Sequence, residues 1–306
     1  MNWEKRWFQF AILMLLAFVW GSSFILIKVG IKSFSSEQAA AIRMLLASLS
    51  LLPLSIYNLK HLKRKDLPAL LFAGFVGSFI PAFLFTKAQT HIDSALAGML
   101  NSLTPVFTLV VGVIFFKSKF KVIQIFGLFL GLVGALGLII GGQDIELVKI
   151  NLYALLIVLA TTFYALNINI VKTYLTHLNG AQITSLSFMF LSPVAFVYLM
   201  TTDFEPVLQN PKWPIHFAAL AGLGILGTAA AMLLMNSLIR KVSTIFASSV
   251  TYIIPIFAIM WGFLDGENIS IHHFGNMLII LVGVYLINRK KQRPTNKMKT
   301  STKKAN

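Results

Sequence analysis

The sequence predicts an all-α, polytopic membrane protein whose ten transmembrane helices form two inverted five-helix repeats. Composition is the first observation behind this. The chain is 57% hydrophobic and only 12% charged, with a mean hydropathy of +0.79, so a water-soluble globule could not hide its apolar surface. The second is length, because apolar runs of about 20 residues, enough to cross a bilayer as a helix, recur along the chain. The third is that the pattern of the first half returns in the second.

The spans read at 8–28, 38–57, 67–87, 94–116, 122–141, 151–171, 181–200, 214–236, 244–264 and 272–288. Helices are required because lipid offers backbone groups no partners, and the alternation of a membrane β-barrel is missing. Residues 8–20, after Lys5 and Arg6, resemble a signal peptide, but no small-residue cleavage site follows. They read as a retained first helix. Pro68 and Pro214 open the third and eighth spans, and the fourth and ninth each carry a mid-span proline, Pro105 and Pro255. A proline inside a helix removes a hydrogen bond, so both of these spans are expected to bend. A short polar link, Asp144 to Lys149, separates the fifth span from the sixth.

The repeat is read from two offsets. Shifted by 150 residues, Ser94–Lys117 aligns Ala97 with Ala247, Pro105 with Pro255, Phe107 with Phe257 and Gly112 with Gly262. Shifted by 144, Leu15 meets Leu159, Trp20 meets Tyr164, Lys28 meets Lys172 and Gln38 meets Gln182. Five spans per copy is an odd number, so the second copy enters the membrane from the opposite face, an architecture common in secondary transporters. The expected units are 1–145, 146–290 and a polar tail, 291–306.

Charge fixes the orientation. With the N-terminus inside, 20 of the 26 Lys and Arg fall on the cytoplasmic side, eight of them between Arg289 and Lys304. That is the positive-inside bias, and it puts both termini in the cytoplasm. The net charge of +16 thus belongs to an anchor at anionic lipid rather than to nucleic acid, and the tail reads as disordered. No cysteine is present, which excludes disulfides, thiol catalysis and thiolate metal sites.

Several short patterns then fall in a recognisable order. They are Trp20-Gly21-Ser22-Ser23, Arg43, Ser94-Ala95, Pro105, Pro255, Glu267 after Phe263-Leu264-Asp265-Gly266, and Gly275 with Gly283. Together they resemble the EamA branch of the drug/metabolite transporter superfamily over about residues 8–288. Lys117 departs from that pattern, since the first copy often carries Glu there as Glu267 does in the second. The resemblance implies a ten-helix permease of the bacterial inner (cell) membrane, often an exporter of amino acids or other small metabolites, needing no cofactor.

Candidate site residues gather around the bent spans. Ser94, Gly98, Asn101, Pro105 and Thr108 share one helical face, as do Thr244, Ser248, Thr251 and Pro255, with Tyr252 adjoining. Such faces serve helix packing or line a cavity. Asn101 favours the cavity, because an amide at the midplane needs partners. Trp20, Ser23, Tyr164 and Asn167 face the same region from the first and sixth spans, with Phe85, Asn236, Gln89 and Pro81 as weaker candidates. Lys28, Lys172 and Arg43 are the charge candidates. Both lysines, and Lys87, lie near span ends where they can snorkel. Arg43 is held either by Glu37 or by helix-end carbonyls, or else it attracts a substrate carboxylate.

No acid sits centrally in a span, which disfavours proton coupling through a buried carboxylate. An intramembrane enzyme is the rival class, but HExxH, GxSxG and Mg²⁺-binding carboxylate pairs are all absent. His272 and His273 are adjacent and point about 100° apart on a helix, a poor metal geometry. A lipid-linked substrate flippase and a non-transporting scaffold complete the alternatives. The mix of aromatic, amide and hydroxyl groups suits a small neutral or zwitterionic solute.

Overall fold

In lipid every backbone N–H and C=O must find its partner inside the protein, and a helix does this within one segment. The computed structural model describes residues 5–117, 121–140, 152–239 and 250–288, and all regular structure among them is helical. Helices α1 (Arg6–Gly30) and α2 (Ser36–Asn58) are continuous. The next span is composite, with α3 (Leu67–Gly74), a π-helical turn over Phe75–Phe79 and α4 (Ile80–Ala88). Then come α5 (Ser94–Asn101), α6 (Thr104–Phe116), α7 (Val122–Ile140) and α8 (Leu152–Tyr174). Helices α9 (Gly180–Met189) and α10 (Leu191–Met200) share one span, and α11 (Glu205–Gln209) is a short surface turn. A second composite follows, α12 (Trp213–Gly224), a π turn over Ile225–Ala230 and α13 (Ala231–Ile239). Helices α14 (Val250–Leu264) and α15 (Ile271–Asn288) close the chain.

Eight stretches among the described residues are long and apolar enough to cross a membrane, from Trp7–Gly30 to Trp213–Met235. They coincide with the first eight expected spans to within a few residues. Two apolar helices, Ile253–Leu264 and Ile271–Ile287, are shorter. Residues 244–249 of the expected ninth span, the link at 144–149 and the tail at 291–306 lie outside the described residues.

The two mid-span prolines are placed differently from one another. Pro255 is inside a continuous α14. Pro105 instead lies at the start of α6, after a full break at Ser102 and Leu103. There its missing N–H costs nothing, since the first N–H groups of a helix have no intrahelical partner. The Thr104 hydroxyl donates to the Asn101 carbonyl at 2.8 Å and so satisfies an acceptor at the break. The small-polar face read along the whole fourth span is therefore divided. Ser94 and Gly98 turn to protein contacts, and only Asn101 and the residues after it adjoin the break.

Matching devices recur in the two halves. Both α2 and α9 begin with a capping box, Ser35 with Gln38 and Asn179 with Gln182, in which side chain and backbone exchange hydrogen bonds. Helix α1 packs on α14, α8 on α6, α2 on α9 and α7 on α15. Large side chains such as Phe126, Phe129 and Leu136 remain exposed. In lipid that exposure carries no hydrophobic penalty, so helix association rests on close packing. The α7–α15 seam depends on glycine. A Cβ on Gly127 would come within 2.5 Å of the Gly283 carbonyl, and one on Gly283 would strike the carbonyl of Gly127.

Gly127→Val should therefore lower the thermal midpoint of the detergent-solubilised protein, with about 1–3 kcal/mol lost to overpacking. Gly222→Ala, whose Cβ meets nothing within 4 Å, should leave the midpoint unchanged or slightly raised. A seam that tolerates valine would show that the helices separate more freely than this contact allows.

Candidate functional site

Side chains from α1, α2, α4, α8 and the second π turn converge at mid-bundle. Residues 20, 164 and 228 each lie near the middle of their spans, which places them roughly halfway through the hydrocarbon. Trp20 donates its indole N–H to the Gly227 carbonyl at 3.1 Å. Ser23, one turn on, is buried and donates back to Val19 O at 3.0 Å. Arg43 Nε donates to Thr228 Oγ1 at 2.9 Å, and Thr228 donates to Leu223 O at 3.0 Å. Phe85 is 3% exposed. It stacks on Tyr164 with ring centres 6.1 Å apart and meets Phe24 at 5.9 Å. The Asn167 Oδ1 is buried with no hydrogen-bond donor among the described residues.

The π turns shape this centre. An i→i+5 turn shifts the helical register by one residue, and such turns are frequent at functional sites. Each follows a glycine, Gly74 or Gly224, and contains another, Gly77 or Gly227. A side chain at Gly77 would collide with the Asn167 amide, and one at Gly227 would press on Ser23 Oγ at 3.2 Å. Likewise a Cβ on Gly74 would lie 2.8 Å from Ser187 O, and one on Gly224 2.8 Å from Arg43 O. Ser23 and Asn167 are 144 residues apart, as are Arg43 and Ser187, while each glycine pair is separated by 150. The same offsets relate two contacts at the span ends, Ser33 with His216 and His177 with Asp66.

A second polar cluster lies at the span ends rather than the centre. Glu267 Oε1 accepts from Lys28 Nζ at 2.8 Å and from the Ser94 N–H and Oγ at 2.9 and 2.6 Å. Its Oε2 accepts from the Ala95 N–H at 2.9 Å. Asp93, the N-cap residue of α5, makes no side-chain cap bond, so Glu267 caps that helix from across the fold and meets the positive end of its dipole. Gly266 permits the turn, since its φ of +78° suits glycine and lets the chain double back after α14. Gly262 leaves room, because any side chain there would collide with the Glu267 carboxylate. Lys28 also pairs with Asp265 at 2.7 Å. Burial raises the pKa of Glu267, but hydrogen bonds from Lys28, Ser94 and Ala95 outweigh it and hold the carboxyl below its ordinary value. Asp93 has no such donors among the described residues, and burial followed by the neighbouring Glu267 raises it.

The expected residues thus fall into separate groups. Trp20, Ser23, Arg43, Phe85, Tyr164 and Asn167 come together at the centre. Asn101 and Pro105 stand half-buried at the α5–α6 break. Pro255 is buried in α14, while Asn236 on α13 and Tyr252 on α14 have side chains outside the described part. Lys28 is taken up in the Glu267 cluster, and Lys172 is exposed in the last turn of α8. Glu37 does not hold Arg43, as was one expectation. It accepts from Lys87 at 3.1 Å and from Ser36 at 2.8 Å, because its side chain turns toward the span end. Gln89 is buried and donates to Phe24 O at 2.8 Å. Thr228, Gly227, Gly77 and the capping role of Glu267 were not anticipated. Alignment of Gly74 and Gly77 with Gly224 and Gly227 at the 150-residue offset was the available signal.

Elsewhere, a groove of about 400 Å³ between α14 and α15 is lined by apolar side chains including Ile256, Met260 and Phe263. It lies on the outer surface, away from the central group. Among the described residues no three His, Cys, Asp or Glu are grouped as metal ligands.

A many-helix membrane bundle with aromatic, amide and basic groups meeting at its centre has the makings of a solute permease. The comparisons agree. The profile of the EamA-like transporter family matches residues 7–140 and again 151–289, and the chain belongs to that family, within the drug/metabolite transporter superfamily. An uncharacterized transporter of Archaeoglobus fulgidus is 23% identical over 290 residues, covering 94% of this chain and all of that one. The uncharacterized inner membrane transporter YedA of Escherichia coli K12 is 26% identical over 91% of this chain and 90% of its own length. A solved crystal structure superposes with a TM-score of 0.61 over 92% of this chain and 96% of that one, at 12% identity, which speaks to the fold alone. Family and relatives point to a permease rather than an enzyme.

The lowered pKa of Glu267 sets a sign for stability. Its contribution is fully present above the unfolded value near 4.5 and is lost as pH falls through the lower folded value. The thermal midpoint should therefore drop on that acid limb, and Glu267→Gln should flatten it. Glu267→Ala, which leaves the Ser94 and Ala95 N–H groups unpaired, should cost about 1–3 kcal/mol at pH 7. An acid limb identical in wild type and Glu267→Gln would remove the carboxylate from this role.

Proposed function

We propose that the protein is a secondary permease working by alternating access. Ten helices cross the membrane as two inverted five-helix repeats, 1–145 and 146–290, with both termini and the 291–306 tail in the cytoplasm. The solute passes through a central cavity between the repeats, at the level of Trp20, Tyr164 and the two π turns. It is a small metabolite such as an amino acid, moved outward across the inner membrane, in keeping with the resemblance and with the location in the name of the E. coli relative.

One observation carries the reading. The glycine contacts of the two π turns are duplicated at fixed sequence offsets, Gly77 on Asn167 with Gly227 on Ser23, and Gly74 on Ser187 with Gly224 on Arg43. Equivalent contacts made by equivalent residues are what two copies packed around a pseudo-two-fold axis would give. In such an arrangement each end can open by the motion that closes the other. The π turns and the α5–α6 break supply irregular backbone at mid-membrane, which is tolerated where it is buried or lines a passage. Trp20, Ser23, Asn101, Tyr164 and Asn167 line that passage, with Asn236 and Tyr252 assigned to it by their positions in sequence.

Sidedness is directly testable, because the chain has no cysteine. In intact cells a membrane-impermeant maleimide should label Thr90→Cys but not Lys63→Cys, both at exposed positions. The opposite labelling would invert the topology. For transport, proteoliposomes loaded with radiolabelled amino acids should release label faster than protein-free vesicles. Asn101→Leu should slow that release several-fold at unchanged protein abundance. Well-folded protein that moves no metabolite class tried would turn the assignment toward a scaffold.

A further inference from the structure

Arg43 presents the sharpest unbalanced chemistry in the molecule. It lies about 10 Å inside the N-terminal end of α2, at a rise of about 1.5 Å per residue. Of its five N–H donors, only Nε is bonded among the described residues, to Thr228. No carboxylate there pairs with it. Glu37 is taken by Lys87, Glu267 and Asp265 by Lys28, and Asp66 by His177. Asp93 belongs to the Glu267 cluster, and Asp203 and Glu205 stand in the surface turn at α11. A guanidinium at this depth without a counter-charge is costly.

Helix packing does not require it. The equivalent position 144 residues on is Ser187, and the same close approach is built there, Gly74 against Ser187 O as Gly224 is against Arg43 O. The crossing forms with a serine, so the charge has another use. Its surroundings indicate which. The Tyr164 hydroxyl lies within electrostatic reach of the guanidinium, and its ring is backed by Phe85, which in turn meets Phe24. Trp20 spends its N–H on Gly227 and offers only ring surface. One turn from Tyr164, the buried Asn167 Oδ1 lacks a donor.

We infer that Arg43 is the anion-binding residue of the central site, taking the oxyanion group of a small solute whose apolar body lies against Trp20, Tyr164 and Phe85. The free Nη edge forms a planar fork that matches a carboxylate or phosphate bidentately. Asn167 Oδ1 accepts from an N–H or O–H elsewhere on the same solute. This rests on the permease reading for the purpose of the site and narrows its substrate to anions and zwitterions.

The test uses the full-length protein in lipid nanodiscs at pH 7 and constant ionic strength, with benzoate, phenylphosphate and benzamide as probes. The thermal midpoint should rise with an oxyanion probe and not with benzamide. Benzoate alone acting marks a carboxylate site, and phenylphosphate alone a phosphate site. Arg43→Gln should weaken oxyanion binding by about ten- to hundredfold in Kd. Arg43→Lys should retain part of it, as a point charge without the fork. If Arg43→Gln does not fold, the wild-type discrimination and Arg43→Lys decide. Equal protection by benzamide, no protection by any probe, or unchanged affinity in Arg43→Gln overturns the inference. Flux of neutral solutes from proteoliposomes separates the two claims. Neutral flux without oxyanion binding removes the anion site and leaves the permease, whereas oxyanion binding without flux of any solute does the reverse.

Discussion

Backbone hydrogen bonding in a medium without water is the constraint on which this structure depends. Unbroken helices meet it alone, and α1, α7 and α8 are of that kind. The broken spans do not, and several of the groups left open are met by a named side chain. Thr104 covers the Asn101 carbonyl, Thr228 the Leu223 carbonyl, Trp20 the Gly227 carbonyl, and Glu267 the exposed amides of α5. Most of the residues that stand out chemically are repair groups of this sort. The centre is thus polar largely because its helices are interrupted there.

The repair groups divide by location. Those at mid-bundle are uncharged, whereas the carboxylates among the described residues lie at span ends or in the turns beyond them. This follows from cost, since a hydroxyl or indole can satisfy one carbonyl at depth while a carboxylate there needs several donors at once. Glu267 finds four, from Lys28, Ser94 twice and Ala95, and it finds them where Lys28 also reaches Asp265. A basic side chain of α1, the turn after α14 and the start of α5 are thereby tied at one point, and α1 is joined to the second half of the chain through charge as well as packing.

Much of the fold was legible in the sequence, because hydrophobic length and positive charge are local signals. The first eight spans appear where apolar runs begin and end, and the capping boxes at Ser35 and Asn179 stand at the expected openings of the second and seventh. What could not be read was how a span is interrupted. Pro105 predicts a disturbance, but a kink and a restart of the helix use the same residue and differ only in tertiary partners. The π turns carry no residue signature beyond paired glycines. Of the site, Trp20 and Tyr164 were found through their register with the repeat, and Asn167 by its place three residues after Tyr164 on the same span. Thr228 was missed because one threonine among alanines and glycines resembles ordinary packing. The partner of Lys28 was hidden for a different reason, as it lies 239 residues away.

The glycine seam between α7 and α15 bears on motion. Backbones that touch carbonyl to glycine at Gly127 and Gly283 cannot slide along one another without a collision, but they can still swivel. A rearrangement of the bundle would then use this edge as an axle, with displacement growing with distance from it. A contact made backbone against backbone is for that reason a place where little movement belongs.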